Sequence, residues 1–156
     1  MEKINLRCAK ISDSNEIYEL IESYAKNGEM LHRSLNSIYK NIQKFIVIEE
    51  KNKIIGCGSL HVSLKNLAEI KSLAVNKNSQ RQGIAKKIVE KLQYNALYLG
   101  IHKIFVLTFK TIFFKKLGYK IVSKKILPHK IWDECINCYL FQNCREIPLM
   151  RDLNDH

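Results

Sequence analysis

An apolar run, Ile70-Lys71-Ser72-Leu73-Ala74-Val75, passes through the polar residues 76–79 into Gln80-Arg81-Gln82-Gly83-Ile84-Ala85, and from there into a long amphipathic segment. This order of strand, glycine turn and helix constrains the chain more than any other feature. The first N–H groups of a helix have no carbonyl partner within it, and the helix dipole adds partial positive charge there. Gly83 carries no side chain that would keep a ligand from the main chain. The junction is therefore a cradle for an anion such as a phosphate, and Arg81 can add a charge-assisted hydrogen bond. No Gly-Lys-Ser/Thr follows Gly83, and G-x-G-x-x-G is absent, so neither the nucleoside-triphosphate loop nor the dinucleotide fingerprint applies. On these six residues alone, an ordinary strand-to-helix loop is the plain alternative.

The 156 residues suit one domain with one core, expected over 1–156. No apolar run approaches the roughly 20 residues that span a bilayer. Met1-Glu2-Lys3-Ile4-Asn5-Leu6-Arg7 lacks the apolar core of a signal peptide. A cytoplasmic location, no membrane partner and reduced thiols are the expectation. The net charge is +11, which raises the question of nucleic acid. However, 21 of the 26 basic residues are scattered Lys. Arg, the better bidentate reader of phosphates and bases, is scarce, so the charge argues against nucleic acid. An anionic cofactor or an acidic substrate gains from the same field. The sequence is compatible with a homodimer.

Residues 3–9 alternate as a first strand. Ser12-Asp13 offers cap chemistry for a helix carrying Ile17, Leu20, Ile21 and Tyr24 on one face, and Asn27-Gly28 ends it. Ser34 is placed to cap a second helix that runs through Lys44. Strands follow at 45–50, 54–63 and 67–75, joined by polar turns into an antiparallel meander. The spacing predicts a helix over 83–99 with Ile84, Ile88, Leu92 and Leu99 among its apolar positions, stopped by Gly100. Lys103 to Thr108 is nearly continuous in apolar residues, as in a central strand covered on both faces. A strand, a helix and a further apolar strand suggest a parallel crossover. A short helix, 111–117, then breaks at Gly118-Tyr119. The fold class is α/β with mixed character.

The pattern Q/R-x-x-G-x-G/A at Gln80 to Ala85, following a strand that ends in Ala-Val, resembles the acetyl-CoA signature of the GNAT superfamily of N-acetyltransferases. The late segment Phe113-Phe114-Lys115-Lys116-Leu117-Gly118-Tyr119 resembles that family's F/Y-x-K-x-G-F/Y motif. Several stretches are similar to the short N-acetylglutamate synthases of arginine biosynthesis. They are Leu31 to Ser34, Gly56 to His61, Ala68 to Val75, Val106 to Thr108, and Leu127 to Trp132 with the cysteines after it. The likeness covers roughly residues 4–150. It implies a mostly antiparallel central sheet with helices on both faces and a splayed strand pair that receives acetyl-CoA. It also implies transfer of the acetyl group to an amino acid, L-glutamate.

On that resemblance, Gln80, Arg81, Gln82, Gly83, Ile84 and Ala85 hold the cofactor's pyrophosphate. Its pantetheine arm pairs beside Leu73, Ala74 and Val75, and an N–H near Leu73 receives the developing oxyanion. Glu69 is the candidate general base, since an ammonium cannot attack until a proton is removed. A solvent-facing strand carboxylate, or a partner for Lys71, is the plain reading of the same residue, and His61 is a rival base. Arg33, with Ser34 beside it, is the candidate clamp for a substrate carboxylate. Lys71 and Lys110 stand where the subgroup has basic residues near its substrate. Many relatives have a Tyr general acid where this chain has Phe114, so that role does not carry over; Tyr119 or water remains. Regulation through the kinase-like domain of longer relatives is not expected.

Cys135-x-x-Cys138-x5-Cys144 is close to metal-ligand spacing, and His129 completes a Cys₃His set for a structural zinc. Reduced thiols or one labile disulfide read the same spacing equally, so a metal within about 128–146 stays open. Cys8 and Cys57 are expected to pack as small apolar residues. Two other functional readings compete. One is acetylation of another amine, such as glutamine, a polyamine or a protein N-terminus. The other is a non-catalytic module that binds acyl-CoA or nucleic acid.

Overall fold

A computed structural model describes residues 3–127 and 146–154. They form seven strands, β1 (Ile4–Cys8), β2 (Phe45–Glu50), β3 (Lys53–Leu64), β4 (Leu67–Val75), β5 (Lys103–Thr108), β6 (Lys120–Ile121) and β7 (Ile147–Asp152). The helices are α1 (Ser14–Ala25), α2 (Leu35–Lys40), α3 (Ile84–Tyr98) and α4 (Thr111–Lys116). The strands make one mostly antiparallel sheet in the order β1-β2-β3-β4-β5-β7-β6. The chain groups into two units, Met1–His61 with Ile70–Asn95, and Val62–Glu69 with Ala96–His156.

In the first unit β1 pairs antiparallel with β2, from Ile4 opposite Glu50 to Cys8 opposite Ile46. β2 pairs antiparallel with β3, Phe45 lying opposite Ser59 and Ile48 opposite Gly56. The apolar stripe expected for α1 is present: Ile17, Leu20, Ile21 and Tyr24 are buried with Ile38, Phe45, Val47, Cys57 and Ala74. Asp13 stands at the N-cap of α1, yet its carboxylate does not cap the helix. It accepts from the Lys10 N–H at 2.7 Å and from two Arg7 nitrogens at 2.7 and 3.0 Å. Arg7 also donates to Glu49 at 3.0 Å. The Arg7 hydrogen bond holds the Asp13 carboxyl below its ordinary range, against the opposing effect of burial.

Ser34 caps α2 by accepting from the Ser37 N–H at 3.0 Å. The helix stops at Lys40 instead of running to Lys44, and a 3₁₀ turn, Ile42–Lys44, follows. Asn41 marks the break: its N–H makes the last helical bond, to the Ser37 carbonyl at 3.1 Å, its side-chain amide donates to the same carbonyl at 2.8 Å, and its φ of −110° lies outside the helical range. Cys57 is fully buried as expected, but Cys8 is exposed on β1, a strand whose residues are at most half-buried. In α3, Ile84, Ile88 and Leu92 are buried, whereas Leu99 lies past the helix end and is 59% exposed.

A close approach seats α3 on β3. A Cβ placed on Gly56 would lie 2.9 Å from both Ile84 Cγ2 and Ile88 Cδ1, and one on Gly58 would lie 2.7 Å from Ile88 Cγ2. Real Cβ atoms do not come that close, so the two glycines set the distance between strand and helix.

In the second unit β7 pairs antiparallel with β5, from Lys103 opposite Asp152 to Thr108 opposite Ile147, and also with β6. Ile104, Phe105 and Val106 are all buried, as a strand covered on both faces requires. Phe114 meets Phe113 and Tyr119 edge to face, at 5.0 and 5.3 Å between ring centroids. Arg151 donates to the Leu117 carbonyl at 2.8 Å, which ties β7 to the end of α4.

Two outcomes follow for stability. Gly58→Val should overpack the α3 contact and lower stability by about 1–3 kcal/mol, read as a lower urea midpoint with an unchanged slope. The Asp13 pKa is depressed by folding, so its contribution is present above the unfolded value near 3.9 and is lost as pH falls through the folded value. Asp13→Asn should cost about 1.5–3 kcal/mol at pH 7 and flatten the fall in stability that wild type shows below about pH 4. Urea titrations at pH 7 and pH 3 check both statements.

Candidate active site

The segment between β4 and α3 is built by local hydrogen bonds. Asn76 accepts from the Asn78 N–H at 2.9 Å through its side chain and from the Ser79 N–H at 2.8 Å through its carbonyl. Its own N–H donates to the Ile55 carbonyl at 2.8 Å. These bonds start a 3₁₀ segment, Lys77–Gln82, which Gly83 ends at φ 69°. That left-handed conformation is strained for any residue with a Cβ, so the backbone rather than space favours glycine here. Among the described residues, a Cβ at Gly83 would meet nothing within 4 Å. The Gly83 carbonyl accepts the first bond of α3, from the Lys87 N–H at 3.1 Å. The N–H groups of Ile84, Ala85 and Lys86 thus precede the helical ladder and form its positive end. Arg81 and Gln82 belong to the 3₁₀ segment. Gln80 directs its side-chain amide to the Tyr24 hydroxyl.

β4 itself is kinked. Ser72 sits at φ 56°, in the left-handed region, within an otherwise extended strand. Such a conformation costs about 1–3 kcal/mol and persists only where the surroundings impose it. Here the Arg33 guanidinium donates to Ser72 Oγ at 3.2 Å, and the Cys57 thiol donates to the Ser72 carbonyl at 3.4 Å. Burial pushes the Cys57 thiol up to about 12, so it keeps that proton. Lys71, Ser72 and Leu73 are half-buried between buried neighbours, so the kink opens β4 to solvent for three residues.

The structure brings Arg33 onto this kink. Its other terminal nitrogen donates to Ser37 Oγ at 3.1 Å, and the guanidinium lies 6.0 Å from the centre of the Phe45 ring. Ser34 is exposed, with its hydroxyl oxygen taken up in capping α2. Ser59 is fully buried on β3 and donates to the Lys71 carbonyl at 3.0 Å. A hydroxyl has one proton, so Ser59 accepts from His61 Nε2 at 2.9 Å, which fixes the His61 tautomer with its proton on Nε2. Burial pulls the His61 pKa down to about 3, helped by the charges of Lys71, Arg33 and Lys44. His61 is therefore neutral at physiological pH and is a weak proton acceptor.

Glu69 is 6% exposed on β4, two residues before Lys71; it is a buried carboxylate and does not face solvent. Tyr119 is buried, and burial raises the pKa of its phenol. Lys110 is exposed at the start of α4, where its N–H donates to Thr108 Oγ1 at 2.9 Å. Among the described residues no three His, Cys, Asp or Glu side chains gather as a metal site. His129, Cys135, Cys138 and Cys144 lie outside the described residues. Also among those residues, no helix is long and apolar enough to cross a membrane.

Four residues here are not singled out by sequence. The Ser72 kink leaves no sequence signal, because serine has no preference for that conformation. Lys44 is one lysine among many. Tyr24 reads as one more apolar position on α1. Ser59 is legible only as a polar residue inside an apolar strand, and a buried hydroxyl must find partners.

The model of the acetyltransferase (GNAT) domain matches residues 41–121, just over half of the chain. An uncharacterized N-acetyltransferase of Chlorobaculum tepidum is 38% identical, over 95% of this chain and 96% of that protein. An amino-acid acetyltransferase of Mycobacterium tuberculosis is 34% identical, over 86% of this chain and 78% of its own length. The N-acetylglutamate synthase of Neisseria gonorrhoeae, solved with coenzyme A and N-acetyl-glutamate, superposes with a TM-score of 0.89 at 25% identity, over 97% of this chain and 35% of that one. The strand order, the glycine turn ahead of α3 and these likenesses together make the chain a member of the GNAT family of acetyltransferases, in its amino-acid acetyltransferase branch.

Proposed function

We propose that this chain transfers the acetyl group of acetyl-CoA to the α-amine of L-glutamate. The observation that carries the substrate is Arg33 seated on the kinked Ser72, in a positive field to which Lys71 and Lys44 add at the neighbouring His61. Positive charge beside a half-buried strand opening favours an acidic substrate, and glutamate offers two carboxylates. The cofactor side of the reading rests on the turn at Gly83 and the first N–H groups of α3.

In this reading the pyrophosphate lies on the N–H groups of Gly83, Ile84 and Ala85, with Arg81 and Gln82 beside it. The pantetheine arm runs along Leu73, Ala74 and Val75 as an added strand. The thioester carbonyl reaches the kink, where a main-chain N–H near Leu73 meets the oxyanion that forms on attack. A single donor of that kind is worth about 2.7–4 kcal/mol. Arg33 holds a glutamate carboxylate, with Ser34 and Lys71 contributing to the same acidic substrate.

The amine must lose a proton before it attacks. Glu69 accepts it in this reading, since a His61 pKa near 3 leaves the imidazole too weak a base for an ammonium. The nitrogen lone pair then adds to the thioester carbon, and the tetrahedral intermediate collapses with release of coenzyme A thiolate. Phe114 has no proton to give, and Tyr119 is buried with a raised pKa, so the thiolate takes its proton from solvent.

Thiol release from acetyl-CoA, measured with a panel of amines, tests the proposal. Glutamate should give the highest kcat/KM, and a better rate with glutamine, a polyamine or a peptide N-terminus would replace it as substrate. Binding of coenzyme A without turnover of any amine would make the chain a sensor. Arg33→Ala should raise the glutamate KM about 10–100-fold, the loss of one or two charge-assisted bonds, with a smaller fall in kcat because Arg33 also holds the Ser72 kink. Glu69→Gln should lower kcat by about 10²–10⁴ and abolish the acid limb of the rate profile. His61→Gln should leave that limb in place; a shifted limb would return the base role to His61.

A further inference from the structure

Tyr24 is 4% exposed on α1 and far in sequence from the cofactor turn, yet three parts of that turn meet on it. Its hydroxyl donates to the Val75 carbonyl at the end of β4. The Gln80 side-chain amide donates to the same hydroxyl. The Lys77 ammonium lies 5.3 Å from the centre of its ring. A phenol has one proton, and a carbonyl can only accept, so the proton lies on the Val75 side and Gln80 must be the donor. The order of the relay is fixed: Gln80 to Tyr24 to Val75. Burial raises the phenol's pKa, which keeps the relay in one protonation state at working pH.

We propose that Tyr24 is a positioning residue for cofactor binding, resting on the acetyl-CoA reading above. Val75 is the last residue of β4, and Lys77 and Gln80 lie in the 3₁₀ segment that leads to Gly83. One side chain therefore sets both the direction in which β4 ends and the position from which the chain enters α3. Those are the two places where the cofactor is held, at the arm and at the pyrophosphate. Gln80, included among the cofactor contacts by its motif position, acts through Tyr24 in this arrangement.

The test compares Tyr24→Phe, Gln80→Ala and the double variant in the full chain. Tyr24→Phe keeps the ring and its contact with Lys77 but removes both hydrogen bonds. Its Kd for coenzyme A by calorimetry, and its KM for acetyl-CoA, should rise about tenfold, the loss of roughly one hydrogen bond of positioning. The KM for the amine should change less than about twofold, because the amine pocket is not held by this relay. Gln80→Ala should give the same loss, and the double variant no more than either single one, since both break one relay. Gln80 is exposed and its variant tests the relay even if Tyr24→Phe folds poorly. Equal effects on both substrates, an unchanged coenzyme A affinity, or additive losses would each overturn the proposal. Failure of wild type to bind coenzyme A would instead remove the acetyltransferase reading itself.

Discussion

The contact between α3 and β3 through Gly56 and Gly58 is the constraint on which the cofactor side depends. Ile84 is both the first residue of α3 and one of the two side chains that would touch a Cβ on Gly56. The strand thus seats the helix at its first turn, where the unpaired N–H groups are. Those donors are main-chain atoms, so their direction is the direction of the helix, and the helix direction is set by packing. A phosphate site of this kind is a consequence of core geometry. It is sensitive to buried methyl groups on another strand and tolerant of most changes in its own side chains.

The kink at Ser72 is the second constraint, and it is maintained differently. A left-handed serine is unfavourable alone, and it is imposed by a guanidinium on its hydroxyl and a thiol on its carbonyl. Arg33 is therefore tied both to the shape of β4 and to the positive field there. The same charges, with burial, remove the proton from His61.

Much of the fold was legible in the sequence because it rests on periodicity and punctuation. The stripe of Ile17, Leu20, Ile21 and Tyr24, the uninterrupted apolar β5 and the cap at Ser34 all follow from local rules and recur in the structure. Element ends were less legible. At Asn41 the backbone leaves the helical range, at φ −110°, while its side chain bonds back to Ser37, a turn that helical spacing does not register. Asp13 has the right identity and position for a cap, but Arg7 takes its carboxylate instead. At the site, the glycine turn was visible as a motif, though its need for a positive φ was not. Ser72 and Ser59 act through residues distant in sequence. Only the Ser59–His61 bond falls within a short window of the chain; the bonds to Lys71, Cys57 and Arg33 do not.

This division has a consequence for what likeness between sequences can carry. The cofactor side is written in strand ends, a glycine and helix N–H groups, features that survive wide divergence because many side chains produce them. Relatives at 38% and 25% identity share the fold on that basis. The substrate side is written in individual charges. Arg33 donates through two terminal nitrogens to Ser72 and Ser37, a fork that a lysine would not reproduce. Membership of the family therefore follows from backbone geometry, whereas the identity of the amine rests with individual side chains that likeness of fold does not carry.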